Sequence, residues 1–337
     1  MFKKILFLAL TAVILQARMV TDSEGKEVRI PDVVERATPM IGAFVQMSAM
    51  LGQQEKIISG ASRLPPLMAK IFPKIRTSGN QSGMLGSSVE TLIASKTQVV
   101  FGPVSMMFDE NQIKQLNAAK VAVVRLDKFG TIAEIKACVS KIAEILGGKS
   151  VQKAAEFNAY FDENVKYVQE KTANLKQKRS VLALNFNSGN FSTIGANDIG
   201  AEYIKVAGGI NLSSDMDPAS FKISKTINEE QVVLYDPDVI ITNSPEGKAQ
   251  IMKNASFQGI KAVKNAKVFV VPSGVYLWSV RSAEGALQPL WLGKMIYPEL
   301  FAELNLEQKT KEFYKKFYGY ELSDDEVKNI LNPKSNF

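Results

Sequence analysis

Any chemistry in this 337-residue chain has to proceed without imidazole and almost without thiol, because it contains no histidine and a single cysteine, Cys138. Ser-His-Asp and Cys-His catalysis, His-based metal cages, zinc fingers and CxxC redox pairs are thereby excluded. What remains is a set of hydrogen-bonding and stacking groups in loops. The segment Gly274 to Arg281 carries Tyr276, Trp278 and Arg281: a phenol, a large rigid face and a fixed fork of donors for carboxylate, catecholate or oxyanion oxygens. The bland alternative is that Tyr276 and Trp278 anchor this loop against Leu287 and Trp291. Arg63 is a second candidate anion clamp, Met107 with Met106 a candidate adaptable apolar wall, and Asn187 and Phe191 a candidate amide-and-ring wall. A carboxylate-dependent hydrolase would need two acids on cleft loops. Asp109, Glu246 and Glu284 are scattered and have no obvious partner.

These groups need a scaffold that brings loop ends together. Strand candidates are Lys56 to Gly60, Gln98 to Gly102, Val121 to Leu126, Ser180 to Asn185, Val239 to Thr242 and Lys267 to Val271, separated by amphipathic stretches. Short Val- and Ile-rich strands alternating with helices predict parallel α/β layers, in which ligands collect where strands end at their carboxyl edges. Ser88 to Phe101 and Asn228 to Ile241 share one layout, an acid opening a short helix, a polar turn and a buried strand, so the chain reads as two lobes of one design. Between them, Lys149 to Lys178 contains no Gly or Pro and carries a stripe of Val151, Ala154, Asn158, Phe161, Val165, Val168 and Leu175. That spacing predicts one helix of about 28 residues, ~42 Å long, a strut that restricts lobe motion. Gly148-Lys149-Ser150 is not a nucleotide loop, since Ala143 stands where the first glycine belongs and the segment follows a helix. Cys138 lies beside the helical stripe Ile132, Ile135, Val139, Ile142 and Leu146 and is expected in the core.

The N-terminus reads Met1-Phe2-Lys3-Lys4 followed by an uncharged run from Ile5 to Leu15 and then Gln16-Ala17. This is the pattern of a secretory signal peptide, 1–17, and the run falls short of the roughly 20 residues a bilayer span needs. No cysteine follows it to accept a lipid. A periplasmic location is therefore expected, with one cysteine forming no internal disulfide there. The net charge of +7 falls to about +5 without Lys3 and Lys4, and no basic run has the density of a nucleic-acid patch. The excess favours an anionic ligand only through long-range attraction.

The run Val271-Pro272-Ser273-Gly274-Val275-Tyr276-Leu277-Trp278-Ser279-Val280-Arg281, continuing through Glu284, Trp291 and Pro298 to Phe301, resembles the C-terminal-lobe signature of substrate-binding proteins of ABC importers for iron-siderophore complexes, haem and vitamin B12. The tail Phe313 to Glu326 resembles the closing segment of one branch of that family, and the likeness begins at the Val20 to Pro31 hairpin. Thr97-Gln98 replaces the family's usual Pro-Asp. The resemblance implies an α/β fold of two lobes with mostly parallel sheets flanked by helices, one long connecting helix and a ligand cleft between the lobes. The expected layout is 18–147 for the N-terminal lobe, 148–178 for the connecting helix, 179–305 for the C-terminal lobe and 306–337 for a helical extension. It implies a periplasmic component, not an enzyme, with no cofactor and no metal site of its own. Its partners are the permease at the inner membrane and a small anionic ligand or metal chelate, and it is expected to act as a monomer. Glu90 and Glu230 fall where the family carries one permease-docking acid per lobe. With no soft ligands for a naked cation, a ferric siderophore is the first expectation; molybdate or tungstate, a nickel chelate, haem and a corrinoid stay open, and an exported hydrolase is the opposed class.

Overall fold

The computed structural model describes residues 17–58, 64–75, 88–104, 108–126, 130–215 and 225–334. Apart from Ala17, the expected signal peptide lies outside the described residues. The chain opens with an antiparallel hairpin of β1 (Ala17–Thr21) and β2 (Glu27–Pro31). There follow β3 (Ala37–Pro39), α1 (Gly42–Met50), α2 (Pro66–Ile71), α3 (Val89–Ala94), β4 (Val99–Pro103), α4 (Glu110–Ala118), β5 (Ala122–Leu126) and α5 (Ile132–Leu146). Strands β3, β4 and β5 lie side by side in that order, all parallel. The strand expected over Lys56 to Gly60 contributes one parallel bridge, Ile57 to Ala37. The three-residue β3, ending in Pro39, is too short to leave an apolar run in the sequence.

Gly147 and Gly148, both at positive φ, end α5 and turn the chain into α6 (Ser150–Thr172). Here the Ser150 hydroxyl donates to the carbonyls of Ala143 and Gly147, so the Gly-Lys-Ser sequence is a helix junction. At 23 residues α6 is ~35 Å long, shorter than the expected 148–178. It ends because the amide of Leu175 folds back to the Thr172 carbonyl while Thr172 and Leu175 pack on Gly208, where a Cβ would come within 3.0 Å of both. The buried stripe also differs. Phe157, Tyr160 and Asn164 are buried where Val151 is exposed, because the chain's C-terminal segment covers that flank of the helix.

The second half contains β6 (Ser180–Ala183), β7 (Asn185–Asn187), β8 (Asn190–Thr193), α7 (Ile199–Val206), β9 (Ile210–Asn211), β10 (Lys225–Thr226), α8 (Glu229–Tyr235), β11 (Val239–Thr242), α9 (Pro245–Lys253), α10 (Lys261–Lys264), β12 (Val268–Val270) and α11 (Gln288–Ile296). Its main sheet runs β12-β11-β6-β9, all parallel, and β10-β8-β7 forms a small antiparallel sheet beside it. The fold is thus α/β with parallel sheets flanked by helices, in two lobes.

Successive residues of a strand face opposite sides, and here they enter different cores. Val99 and Phe101 of β4, Val181 and Ala183 of β6, and Val239 and Ile241 of β11 all join one apolar cluster that also takes in α1, α5, α6 and α11. Val100 of β4 enters a second cluster under α3 and α4, and Leu182 and Ile240 enter a third under α8, α9 and α10. Cys138 is buried in the shared core, as expected from its stripe. None of the described helices is long and apolar enough to cross a membrane.

The extension after α11 forms α12 (Leu306–Phe313), a single π turn over Tyr314–Tyr318, and α13 (Asp324–Leu331). It returns to the N-terminal lobe. Phe317 meets Phe157 and Tyr160 edge-on at 5.6 and 5.4 Å between centroids, Tyr318 meets Phe72 at 5.5 Å, and Lys70 pairs with Glu326 at 2.7 Å. Removing a buried phenyl ring costs about 3–5 kcal/mol. Phe317→Ala is expected to lose that much in urea unfolding, with one transition for both lobes because the ring lies in the shared core.

Candidate ligand-binding site

The loop after β12 is shaped by its own backbone. The Trp278 amide donates to the Pro272 carbonyl at 3.1 Å, Ser273 and Leu277 form an antiparallel bridge, and the Ser273 amide reaches the Ile330 carbonyl at 3.0 Å. This arrangement turns Trp278 inward. It is fully buried in the shared core with Leu287 and Trp291, so it anchors the loop and has no stacking face to offer. The expectation of ligand contact at Trp278 is corrected accordingly; Trp291 is core as its helix face implied.

Tyr276 is half-buried and crosses to the other lobe. A Cβ at Gly42, the first residue of α1, would lie 3.0 Å from the Tyr276 hydroxyl oxygen, so the absence of a side chain there seats the ring. Burial pushes the phenol pKa up. Arg281 pairs with Asp198 at 3.4 Å, its side chain 20% exposed against 8% for the acid, so the pair is largely covered at the N-terminus of α7. Asp198 also caps α7 through the Gly200 amide at 2.8 Å. Burial raises the Asp198 pKa, and Arg281 and the Gly200 amide pull it back. Ser279 donates to Asn243 at 2.9 Å, and the Asn243 amide donates to Asn185 at 2.9 Å. The start of β7, the end of β11 and the loop after β12 are therefore joined by a chain of hydroxyl and amide groups, with the Arg281–Asp198 pair two residues further along that loop.

Other expected residues fall elsewhere. Arg63 and Met107 lie outside the described residues. Phe191 is buried, its ring 5.2 Å from those of Phe186 and Phe257, because Ser188 and Gly189 at positive φ close a tight hairpin that folds β8 onto the outer core. It is a core residue, which corrects the expectation of a wall contact. Asn187 is exposed at the same hairpin's tip, opposite Asn190. Glu90 and Glu230 are both exposed on the first turns of α3 and α8.

The three scattered acids have structural employment. Asp109 caps α4, accepting from the amides of Asn111 and Gln112, and Glu246 lies in the first turn of α9. Glu284 is fully buried. Its Oε2 accepts from the Tyr276 amide at 2.5 Å and the Gln46 side chain at 3.2 Å. Its Oε1 accepts from the Val275 amide at 3.2 Å and from the Tyr314 hydroxyl. Gln46 of α1 in turn donates to Tyr318 at 2.8 Å and accepts from the Ala283 amide at 2.9 Å. The Trp278 indole lies beside the same carboxylate without hydrogen-bonding geometry. One hint of this was legible: a glutamine and a serine in the otherwise apolar α1, buried nearly all round, require partners. Two further bonds close the seam between lobes, Glu202 of α7 accepting the Ile132 amide at 2.7 Å and Asn164 of α6 donating to the Ala286 carbonyl at 2.8 Å.

Residues 81–275 match the sequence profile of the periplasmic binding protein family. The chain belongs to this family. It is similar to the molybdate-binding protein MolA of Haemophilus influenzae, 24% identical over 330 residues that cover 90% of this chain and 92% of that protein. The solved structure of MolA bound to molybdate superposes with a TM-score of 0.74 at 23% identity, covering 91% of this chain and 99% of that one. A periplasmic solute binding protein from Veillonella parvula gives 0.79 at 24% identity, covering 94% and 97%. The Helicobacter pylori CeuE nickel–histidine complex gives 0.70 at 20% identity, covering 94% and 99%. The periplasmic binding protein described here is a solute-binding component of an ABC importer rather than an enzyme, and the hydrolase alternative is set aside.

Burial raises the Glu284 pKa from 4.5 to about 7, its amide and phenol donors opposing the shift. A carboxyl whose folded pKa is raised binds its proton more tightly when folded, so folding gains as pH falls from 7 toward 4.5. At 1.36 kcal/mol per unit the gain is about 3 kcal/mol. Wild-type stability is expected to rise by that order relative to Glu284→Gln between pH 7.5 and 4.5, read by urea unfolding of both proteins at each pH.

Proposed function

We propose that this protein captures an oxygen-rich anion between its lobes, that the best fit is a compact tetrahedral oxyanion of the molybdate type, and that it delivers this ligand to an importer permease. The observation that carries the reading is the loop after β12: its indole is buried, while Tyr276, Ser279 and Arg281 stay partly exposed and bring a phenol, a hydroxyl and a guanidinium. A planar chelate would want the stacking face that Trp278 does not present. A bare oxyanion needs donors, and guanidinium, phenol and hydroxyl supply them. The likeness to MolA supports the same class. A naked cation is disfavoured on the chemistry of the donors, since among the described residues no three carboxylates or thiols gather to hold one. A metal would come already wrapped in its own donor atoms, as the expected ferric siderophore does. We take the lobes as 18–147 and 179–305, the described part of 306–337 as a strap across both, and export as the role of a signal peptide at 1–17.

Titration calorimetry against molybdate, tungstate, sulfate, a ferric catecholate and nickel–histidine separates the two forms. Binding of molybdate or tungstate with no heat from the chelates is expected. Arg281→Ala is expected to weaken it ten- to hundredfold, since a hydrogen bond to a charged group is worth about 1.5–3 kcal/mol. Tyr276→Phe is expected to weaken it about fivefold. Tight binding of the ferric catecholate alone would overturn the compact-oxyanion reading.

Delivery is assigned to the faces bearing Glu90 and Glu230. The two helices correspond at four positions besides the acids: Ser88 and Asn228 cap them, Leu92 and Val232 are buried, Ile93 and Val233 are 40% and 43% exposed, and Thr91 and Gln231 follow the acids. Capping alone asks only for an acid near the amides; matched exposed apolar neighbours are additional and fit a partner with two like surfaces. Reversing both charges, Glu90→Lys with Glu230→Lys, is expected to abolish stimulation of a reconstituted importer's ATPase while leaving ligand affinity within twofold of wild type. Loss of ligand binding instead would sink the docking assignment.

A further inference from the structure

Glu284 is a buried acid in a protein that performs no acid–base chemistry, and the four donors around it come from three separate parts of the fold. Val275 and Tyr276 come from the loop after β12, Gln46 from α1 in the other lobe, and Tyr314 from the C-terminal strap. A carboxylate has lone pairs for all four donors, and no other side chain of its length does. The site is also closed to substitution nearby, since a methyl group at Gly274 would overlap both the Tyr314 hydroxyl and the Glu284 carboxylate.

We infer that Glu284 is the positioning residue of the ligand loop: by taking the consecutive amides of Val275 and Tyr276 while bonded to Gln46 and Tyr314, it holds the Tyr276 ring against the first turn of α1 and so sets ligand affinity. The inference rests on the reading that this loop lines the ligand site. Glu284 touches no ligand itself. The Tyr314 hydroxyl is the one partner that can accept as well as donate, so the closed site can take a proton on Oε1 directed at that phenol while the amides of Tyr276 and Gln46 keep Oε2; opening the loop exposes the carboxyl to water, where its ionised form is favoured, and rising pH therefore loosens the loop. The groups facing Glu284 are the phenols of Tyr314 and Tyr318, the indole of Trp278 and the amide of Gln46. Each is neutral at pH 6 to 8.5, the Tyr314 and Tyr318 pKa values being pushed well above normal by burial.

Hydrogen exchange of the peptide 273–281 tests the positioning without any ligand, and molybdate titration tests its consequence. In wild type, protection of this peptide, corrected for the intrinsic pH dependence of exchange, is expected to fall between pH 6 and 8.5. Glu284→Gln, which stays neutral and keeps one acceptor oxygen, is expected to lose that pH dependence. Glu284→Ala is expected to exchange at least tenfold faster there and to bind molybdate about tenfold more weakly; if it fails to fold, the pH profile of Glu284→Gln stands in its place. Unchanged exchange in both variants would overturn the inference, and so would fast exchange with molybdate bound as tightly as in wild type. Wild-type protein that ignores molybdate would instead fault the oxyanion reading, while the exchange measurements still judge the loop.

Discussion

The inner faces of both parallel sheets bury into one apolar core, and the rest of the structure follows from that shared burial. A strand covered on both sides must send alternate residues to different partners. In each lobe the outward set is closed over by the lobe's own helices, while the inward set meets α6, α11 and the strap. Two halves that share a core cannot separate without exposing it to water. Separation of the lobes is therefore opposed by the same burial that forms each of them.

Polar groups inside such a seam are costly unless paired, and their pairing here runs across the lobes. Gln46 reaches Glu284, Tyr318 and the Ala283 amide; Asn164 reaches the Ala286 carbonyl; Glu202 takes the Ile132 amide. Each bond joins segments far apart in the chain, so each is satisfied only in the assembled arrangement. The loop that carries Tyr276 and Arg281 is thereby held from behind by the seam, and the aromatic strap of Phe313, Tyr314, Phe317 and Tyr318 closes over it.

Much of this was legible in the residues. Apolar runs located β4, β5, β6, β11 and β12 to within a residue or two, and the repeated acid-helix-strand layout matched the two lobes. The short β3 and the β7–β8 hairpin were not legible: the first has too few residues for a pattern, and the second depends on Ser188 adopting a positive φ next to Gly189. Aromatic loop residues were the least legible. Trp278 and Phe191 carry the composition of a stacking wall, but a large apolar ring goes wherever it loses most water, and in both cases a core lay within reach.

By itself the sequence determined what depends on residue type and near spacing: the exclusion of imidazole and thiol chemistry, the parallel α/β layers, the helical junction at Gly147-Gly148 and the acid opening a helix in each lobe. Only the tertiary structure decided which side of a loop faces the cleft, where α6 stops, and that the acid with no neighbour in the sequence has four donors in space. Those outcomes depend on contacts between separate segments, some tens of residues apart, such as Thr172 and Leu175 with Gly208, and some hundreds, such as Gln46 with Glu284 and Tyr318. Local pattern carries the propensity of a segment, whereas the pairing of a buried charge is a property of the whole packed molecule.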